Sequence, residues 1–129
     1  MKYIGLFLLG AMAYTFVEYA VHRWLLHGPM KKQHRAHHRN PNTDIRTPFL
    51  IVGPVVLLTM VALGPAFAVG MFACWYGSAF LHRKLHNGQL PNLWMRKLHR
   101  HHIGHHRKAS SNFGVTSVVW DKLFGTHRK

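Results

Sequence analysis

The chain has 129 residues, with 17 Lys and Arg against three Asp and Glu, for a formal charge of +14. A chain of that length forms one domain, residues 1–129, without room for a large soluble core, and 48% hydrophobic residues against 16% charged argue against disorder. The single Cys74 excludes an internal disulfide framework and any Cys-rich zinc module, and three acids (Glu18, Asp44, Asp121) nearly exclude paired-carboxylate catalysis.

Residues 3–21 are apolar apart from one threonine, one glutamate and three tyrosines. As a helix they extend about 28 Å, close to the ~30 Å hydrocarbon core of a bilayer. Met1-Lys2 is a thin basic leader, and the apolar run ends in His22-Arg23-Trp24 instead of a small-residue cleavage site, so a retained helix is expected rather than a signal peptide. Residues 49–81 carry no charge over 33 positions. One helix of that length would be about 50 Å long, too long for a single span. Gly64-Pro65 supplies a break, which predicts two antiparallel helices over 47–63 and 66–83. The expected fold class is therefore all-α: an integral-membrane bundle of about three membrane helices with a cytosolic, histidine-rich helical cap.

Six Lys and Arg lie between 23 and 46 and ten between 83 and 129, with none in the 64–66 turn. Both basic blocks then sit on the cytoplasmic side and the N-terminus on the other. Such a face is expected to meet anionic membrane lipids, which accounts for the charge without nucleic acid.

Histidine, about a tenth of the chain, carries the chemistry. Four spaced groups occur: His22-x4-His27, His34-x2-His37-His38, His82-x3-His86 and His102-x2-His105-His106. Spacings of three or four place imidazoles one turn apart on a helix face. A spacing of five turns the second ring ~140° away at ~100° per residue, so the helix is expected to unwind or end near His27, ahead of Gly28-Pro29. The topology gathers all ten at one membrane face. Neutral imidazoles packed together resist protonation by mutual repulsion, and divalent cations relieve that conflict. Ten nitrogens suit two ions, and a nitrogen-only set suits iron, zinc or copper. His99, His101 and His127 fall outside the pattern and are expected nearby or at the surface.

The ordered pattern HX4H, HX2HH, HX3H, HX2HH resembles the integral-membrane fatty acid hydroxylase/sterol desaturase superfamily. The flanks agree: Glu18 to His27 resembles the first box, Leu90-Pro91 and Met95 to Leu98 lead into the last, and Asn112 to Ser117, Trp120-Asp121 and Leu123 to Thr126 are similar to the ending of fatty acid 2-hydroxylases. The resemblance implies an O2-dependent, non-haem di-iron lipid hydroxylase whose metal ligands are His22, His27, His34, His37, His38, His82, His86, His102, His105 and His106. Zinc can fill the same nitrogen cage in purified protein. No haem, flavin or Fe–S motif occurs in the chain. An external donor, a ferredoxin- or cytochrome-type carrier with its reductase, is therefore expected, steered by the basic face.

The six residues between His27 and His34 are similar instead to carotenoid hydroxylases, and desaturation begins from the same hydrogen abstraction. Both stay open as alternatives. With about three helices a homo-oligomer is a further expectation, to enclose a substrate tunnel. In the tail, Val115, Val118, Val119 and Leu123 recur at helical spacing, which predicts an amphipathic helix over 115–124 packed under the site. Asn112 and Asp121 are candidates to orient ligand imidazoles. Outside catalysis, a metal-handling membrane protein and an interfacial scaffold are the competing classes.

Overall fold

The computed structural model describes residues 1–43, 49–88 and 90–128, with only the backbone of 49–52. The described residues hold six α-helices and one π-helical turn, and no strand. Helix α1 spans Lys2–Ala20 and runs directly into the π-turn Val21–Leu26. Helix α2 is Lys31–Arg39, α3 Phe49–Leu63, α4 Pro65–Asn87, α5 Leu93–Arg107 and α6 Val119–Leu123. The break between α3 and α4 falls where Gly64-Pro65 placed it: Gly64 takes φ 90° and Pro65 opens α4, its missing N–H costing nothing at that position.

Helices α1 and α4 run parallel and form the spine. At their crossing, a Cβ on Gly10 would overlap the Phe67 carbonyl, and one on Gly70 would overlap the Phe7 carbonyl. Only glycine lets the backbones approach so closely, the contact that holds helices together where lipid removes the usual hydrophobic drive. Below the crossing, Tyr14, Phe67 and Met71 form a small core, and Tyr14 Oη lies 2.8 Å from Ser78 Oγ. A second cluster of Leu85, Leu98 and Val115 sits between α4, α5 and the tail. Elsewhere the spine is apolar outward: Ile4, Leu8, Met12, Leu58, Val61, Tyr76 and Phe80 are each at least half exposed. So large a set of exposed apolar side chains marks a surface that water alone does not suit. Lys2–Leu26 is the one helix among the described residues long and apolar enough to cross a membrane; Gly53–Leu63 is a shorter apolar helix.

Two expectations, the end of α4 and the helix in the tail, need amendment. Helix α4 continues four residues beyond 83, so His86 stands on the same helix as His82; Gly88, at φ 69°, stops it. Of the expected helix over 47–63, Phe49–Leu63 is helical, and residues 47 and 48 lie outside the described residues. Helix α2 carries His34, His37 and His38, in keeping with their helical spacing. The amphipathic helix over 115–124 is not formed: only Val119–Leu123 is helical, and Val119 and Leu123 are 58% and 68% exposed. Aromatic and polar contacts set the tail's path instead. Trp120 Nε1 donates to Thr15 Oγ1 at 2.9 Å, Trp120 packs on Phe16, and Phe124 stacks on Tyr19.

Candidate metal centre

The first histidine box is shaped by its winding. His27 N–H donates to the His22 carbonyl at 3.2 Å, a bond from residue i+5 to i. A π-turn closes one revolution over about that many residues, so side chains five apart return to one face, where α-winding would splay them. Two short helices bring in the rest. On α2, His34 and His37 are buried while Lys31, Arg35 and Arg39 face outward. On α5, which Asn92 caps by accepting the Met95 N–H at 2.8 Å, His102 and His105 are buried.

All ten box histidines converge, and they form two groups. His22, His27, His34, His38 and His105 make one; His37, His82, His86, His102 and His106 make the other, with the ring nitrogens of each group within 4.8 Å of one another. Neighbouring Nε2 atoms approach closely: His22–His34 2.9 Å, His27–His105 3.0 Å, His82–His102 3.0 Å and His37–His86 3.1 Å. His37 donates Nδ1–H to the Thr43 carbonyl at 3.1 Å and His105 to that of Ser111 at 2.7 Å; His22 Nδ1 likewise meets the Phe113 carbonyl. With the proton on Nδ1, the Nε2 atom presents a lone pair. Lone pairs facing each other at ~3 Å repel, and a cation between them reverses the sign. Burial holds the rings neutral. It lowers His27 to about 4, aided by His38, and lowers His106 to about 3, with His38 and His86 adding to the effect. His105 falls to about 3 for the same reason, although its bond to Ser111 pulls the other way. This donor set fits two nitrogen-ligated transition-metal ions.

The tail locks two of the carbonyls that receive these imidazoles, those of Ser111 and Phe113. Asp121, fully buried, accepts from Phe113 N and Gly114 N (both 2.8 Å), from Thr126 Oγ1 (2.7 Å) and from His101 Nε2 (2.9 Å). Burial pushes its carboxyl upward, but these donors outweigh it and hold Asp121 below its ordinary value. Asn112, at φ 57°, clamps Arg128 through its Oδ1 and Nδ2. Neither side chain touches a box histidine among the described hydrogen bonds. Both work one step back, through the backbone at 111–113. His101 belongs to this support, bonded to Asp121 and stacked on His127 at 5.3 Å, and His99 donates to the Leu85 carbonyl at 2.7 Å.

Glu18 has a role that sequence reasoning missed. It accepts Thr116 N–H at 2.9 Å and Thr116 Oγ1–H at 2.6 Å, pinning the tail to α1. The available signal was a carboxylate inside an apolar span, which demands a partner. Between α1 and α4 a cavity of about 170 Å³ opens onto both histidine groups. Val17, Val21, Trp75 and Val115 give it apolar walls, Tyr14, Glu18 and Ser78 a polar seam, and His22, His34, His37, His82 and His86 its floor.

This arrangement has known counterparts. Residues 7–126 match the fatty acid hydroxylase family profile. The chain belongs to the fatty acid hydroxylase family. It is 30% identical over 144 residues to a dihydroceramide fatty acyl 2-hydroxylase of Arabidopsis thaliana, covering 95% of this chain and 61% of the relative. It is 33% identical to the ceramide very long chain fatty acid hydroxylase of Saccharomyces cerevisiae, across 95% of this chain and 38% of that protein. A solved structure of full-length scs7p, in which only the hydroxylase domain is visible, superposes with a TM-score of 0.82 at 30% identity, covering 99% of this chain and 57% of the other. The chain thus spans between about two-fifths and three-fifths of the length of these relatives.

Proposed function

We propose that the chain is a single-domain, O2-dependent di-iron hydroxylase of lipid acyl chains. The observation that carries this reading is the convergence of two five-imidazole groups, with members of both on the floor of one apolar-walled cavity. The ten box histidines are the proposed ligands, five to each ion. Zinc, a nitrogen-loving but redox-inert ion, is the expected substitute in purified protein. Two iron ions bound there would supply the redox chemistry that O2 activation needs.

The chain's own residues do the rest. The carbonyls of Phe113, Thr43 and Ser111 hold His22, His37 and His105 in one tautomer and orientation. Val17, Val21, Trp75 and Val115 keep water from the cavity and accept a hydrocarbon chain lengthwise. The histidine floor lies at the end of the membrane-length helix, so the carbon presented to it is one close to the lipid's polar end. The relatives named as fatty acyl 2-hydroxylases support that carbon, and support hydroxylation over desaturation.

In the proposed membrane arrangement α1, α3 and α4 form the embedded bundle, with the histidine face cytoplasmic and the N-terminus opposite. The distribution of Lys and Arg supports this orientation. The outward basic rows of α2 and α5 suit anionic lipid and an acidic electron carrier of the ferredoxin or cytochrome type; a second copy is a further proposed partner. Chain purified into lipid nanodiscs should carry about two transition-metal ions. With iron, O2 and a reductant it should add one oxygen to a supplied acyl lipid, read by mass spectrometry. Near-zero metal, or product independent of O2 and reductant, refutes the reading.

A further inference from the structure

The two histidine groups have matching make-up, and neither belongs to one half of the chain. The first group takes His22, His27, His34 and His38 from the N-terminal half but His105 from the C-terminal half; the second takes His82, His86, His102 and His106 but also His37. In each His-x-x-His-His box the middle histidine has crossed over.

Three close contacts in each group match, while His82–His86 at 3.2 Å, His86–His102 at 2.9 Å and His38–His105 at 3.1 Å have no hydrogen-bond counterpart among the described residues. His22–His34 at 2.9 Å matches His82–His102 at 3.0 Å, and His34–His38 at 3.0 Å matches His102–His106 at 3.2 Å. The crossing contacts match as well, His27–His105 at 3.0 Å and His86–His37 at 3.1 Å. His37 and His105 each bond the carbonyl six residues ahead, at Thr43 and Ser111. His34 and His102 each bury Nδ1 without a hydrogen-bond partner among the described residues. His38 and His106 stack on each other at 4.3 Å. The relation continues along the spine: Phe7-x-x-Gly10 and Phe67-x-x-Gly70 contact each other reciprocally, as surfaces related by a two-fold axis must. Helix α3 returns the chain so that α4 can run parallel to α1.

We infer that the chain consists of two pseudo-two-fold-related halves, and that His37 and His105 are positioning ligands exchanged between them to tie the halves together at the histidine end. This rests on the dimetal reading above. The physical reason lies in α2. At nine residues it is too short to hold helical form alone. Its substantial helix contact among the described residues is with the π-turn. What links it to α4 and α5 is imidazole: His37 to His82, His86 and His106, and His38 to His105 and His106. A cation in each group turns those facing lone pairs into shared bonds, so metal docks α2. The tail breaks the symmetry. Phe113 packs over His22, His27 and His105, the counterpart of the cavity floor at His82, His86 and His37, which leaves a single open face.

The test uses the full chain in nanodiscs with Zn(II) as probe, reading bound metal by elemental analysis and amide exchange of residues 31–39 by mass spectrometry. His37→Ala/His105→Ala leaves four imidazoles per group; it should keep about two ions yet exchange about tenfold faster over 31–39. His34→Ala/His102→Ala also removes one imidazole per group but spares the exchanged pair, and should stay within about threefold of wild type. Equal exchange in the two double variants overturns the inference. Should the first variant fail to fold, the single variants decide: His37→Ala and His105→Ala should weaken Zn(II) binding by factors within about threefold of each other, and a tenfold disparity overturns the equivalence. Wild-type chain that binds no Zn(II) refutes the dimetal reading itself, a different outcome from two ions held without coupling.

Discussion

Asp121→Asn isolates the support behind the first histidine group. The carboxylate is fully buried and receives four donors, from Phe113 N, Gly114 N, Thr126 Oγ1 and His101 Nε2, at 2.7–2.9 Å. An asparagine offers one acceptor oxygen and turns an NH2 toward the remaining donors, so at least two of them lose their acceptor. Each buried group left unsatisfied costs about 1–3 kcal/mol, so the variant should lose about 3–5 kcal/mol. The Phe113 carbonyl, released from its anchored amide, no longer orients His22. Loss of such an outer partner typically weakens metal binding by about 10–100-fold. Thermal unfolding in nanodiscs and competition for Zn(II) against a chromophoric chelator read the two effects separately. A variant with wild-type melting and wild-type affinity for both ions would show that the backbone at 111–114 holds its course without Asp121, and the proposed support would be wrong.

Other perturbations probe other layers. Gly70→Ala places a Cβ into the Phe7 carbonyl and should destabilise the α1–α4 crossing by about 1–3 kcal/mol, read as a lower melting temperature; an unchanged value contradicts the close approach. Ala79→Trp puts an indole into the cavity that Ala79 lines and should abolish lipid oxidation while leaving metal content at its wild-type level; retained turnover of long-chain lipid would place the substrate elsewhere. Thr116→Val removes the 2.6 Å donor to Glu18 and should cost about 1–2 kcal/mol in melting experiments. Metal-free chain should lose stability as pH falls below about 6.5, because unfolded imidazoles take protons there while folded His27 waits until about 4 and His105 and His106 until about 3. A melting temperature that stays flat from pH 7 to about 4.5 would contradict those depressed values.

Spacing made much of this legible before any fold was known. Uncharged runs marked apolar helices, Gly64-Pro65 marked the turn, and His-x-x-His-His on a helix needs no tertiary information to aim its rings together. Local signals of this kind act over one or two turns, so the sequence carries them whole. The π-winding at 21–26 was less legible, because five-residue spacing reads as a defect until the backbone bond from His27 to His22 closes it. The tail misled for a related reason: its valines have helical period, but the buried Asp121 cluster and the aromatic contacts with Phe16 and Tyr19 bend residues 111–118 out of a helix.

The sequence by itself determined the ten spaced histidines, the apolar helices and the family, since residue type and short spacing suffice for each. Only the tertiary structure decided which histidines share a group. That partition depends on two parallel helices crossing at Gly10 and Gly70, which carries His37 and His105 past their sequence neighbours to the opposite group. No pattern along one strand of chain encodes such an exchange, because it arises from the rotation relating the halves.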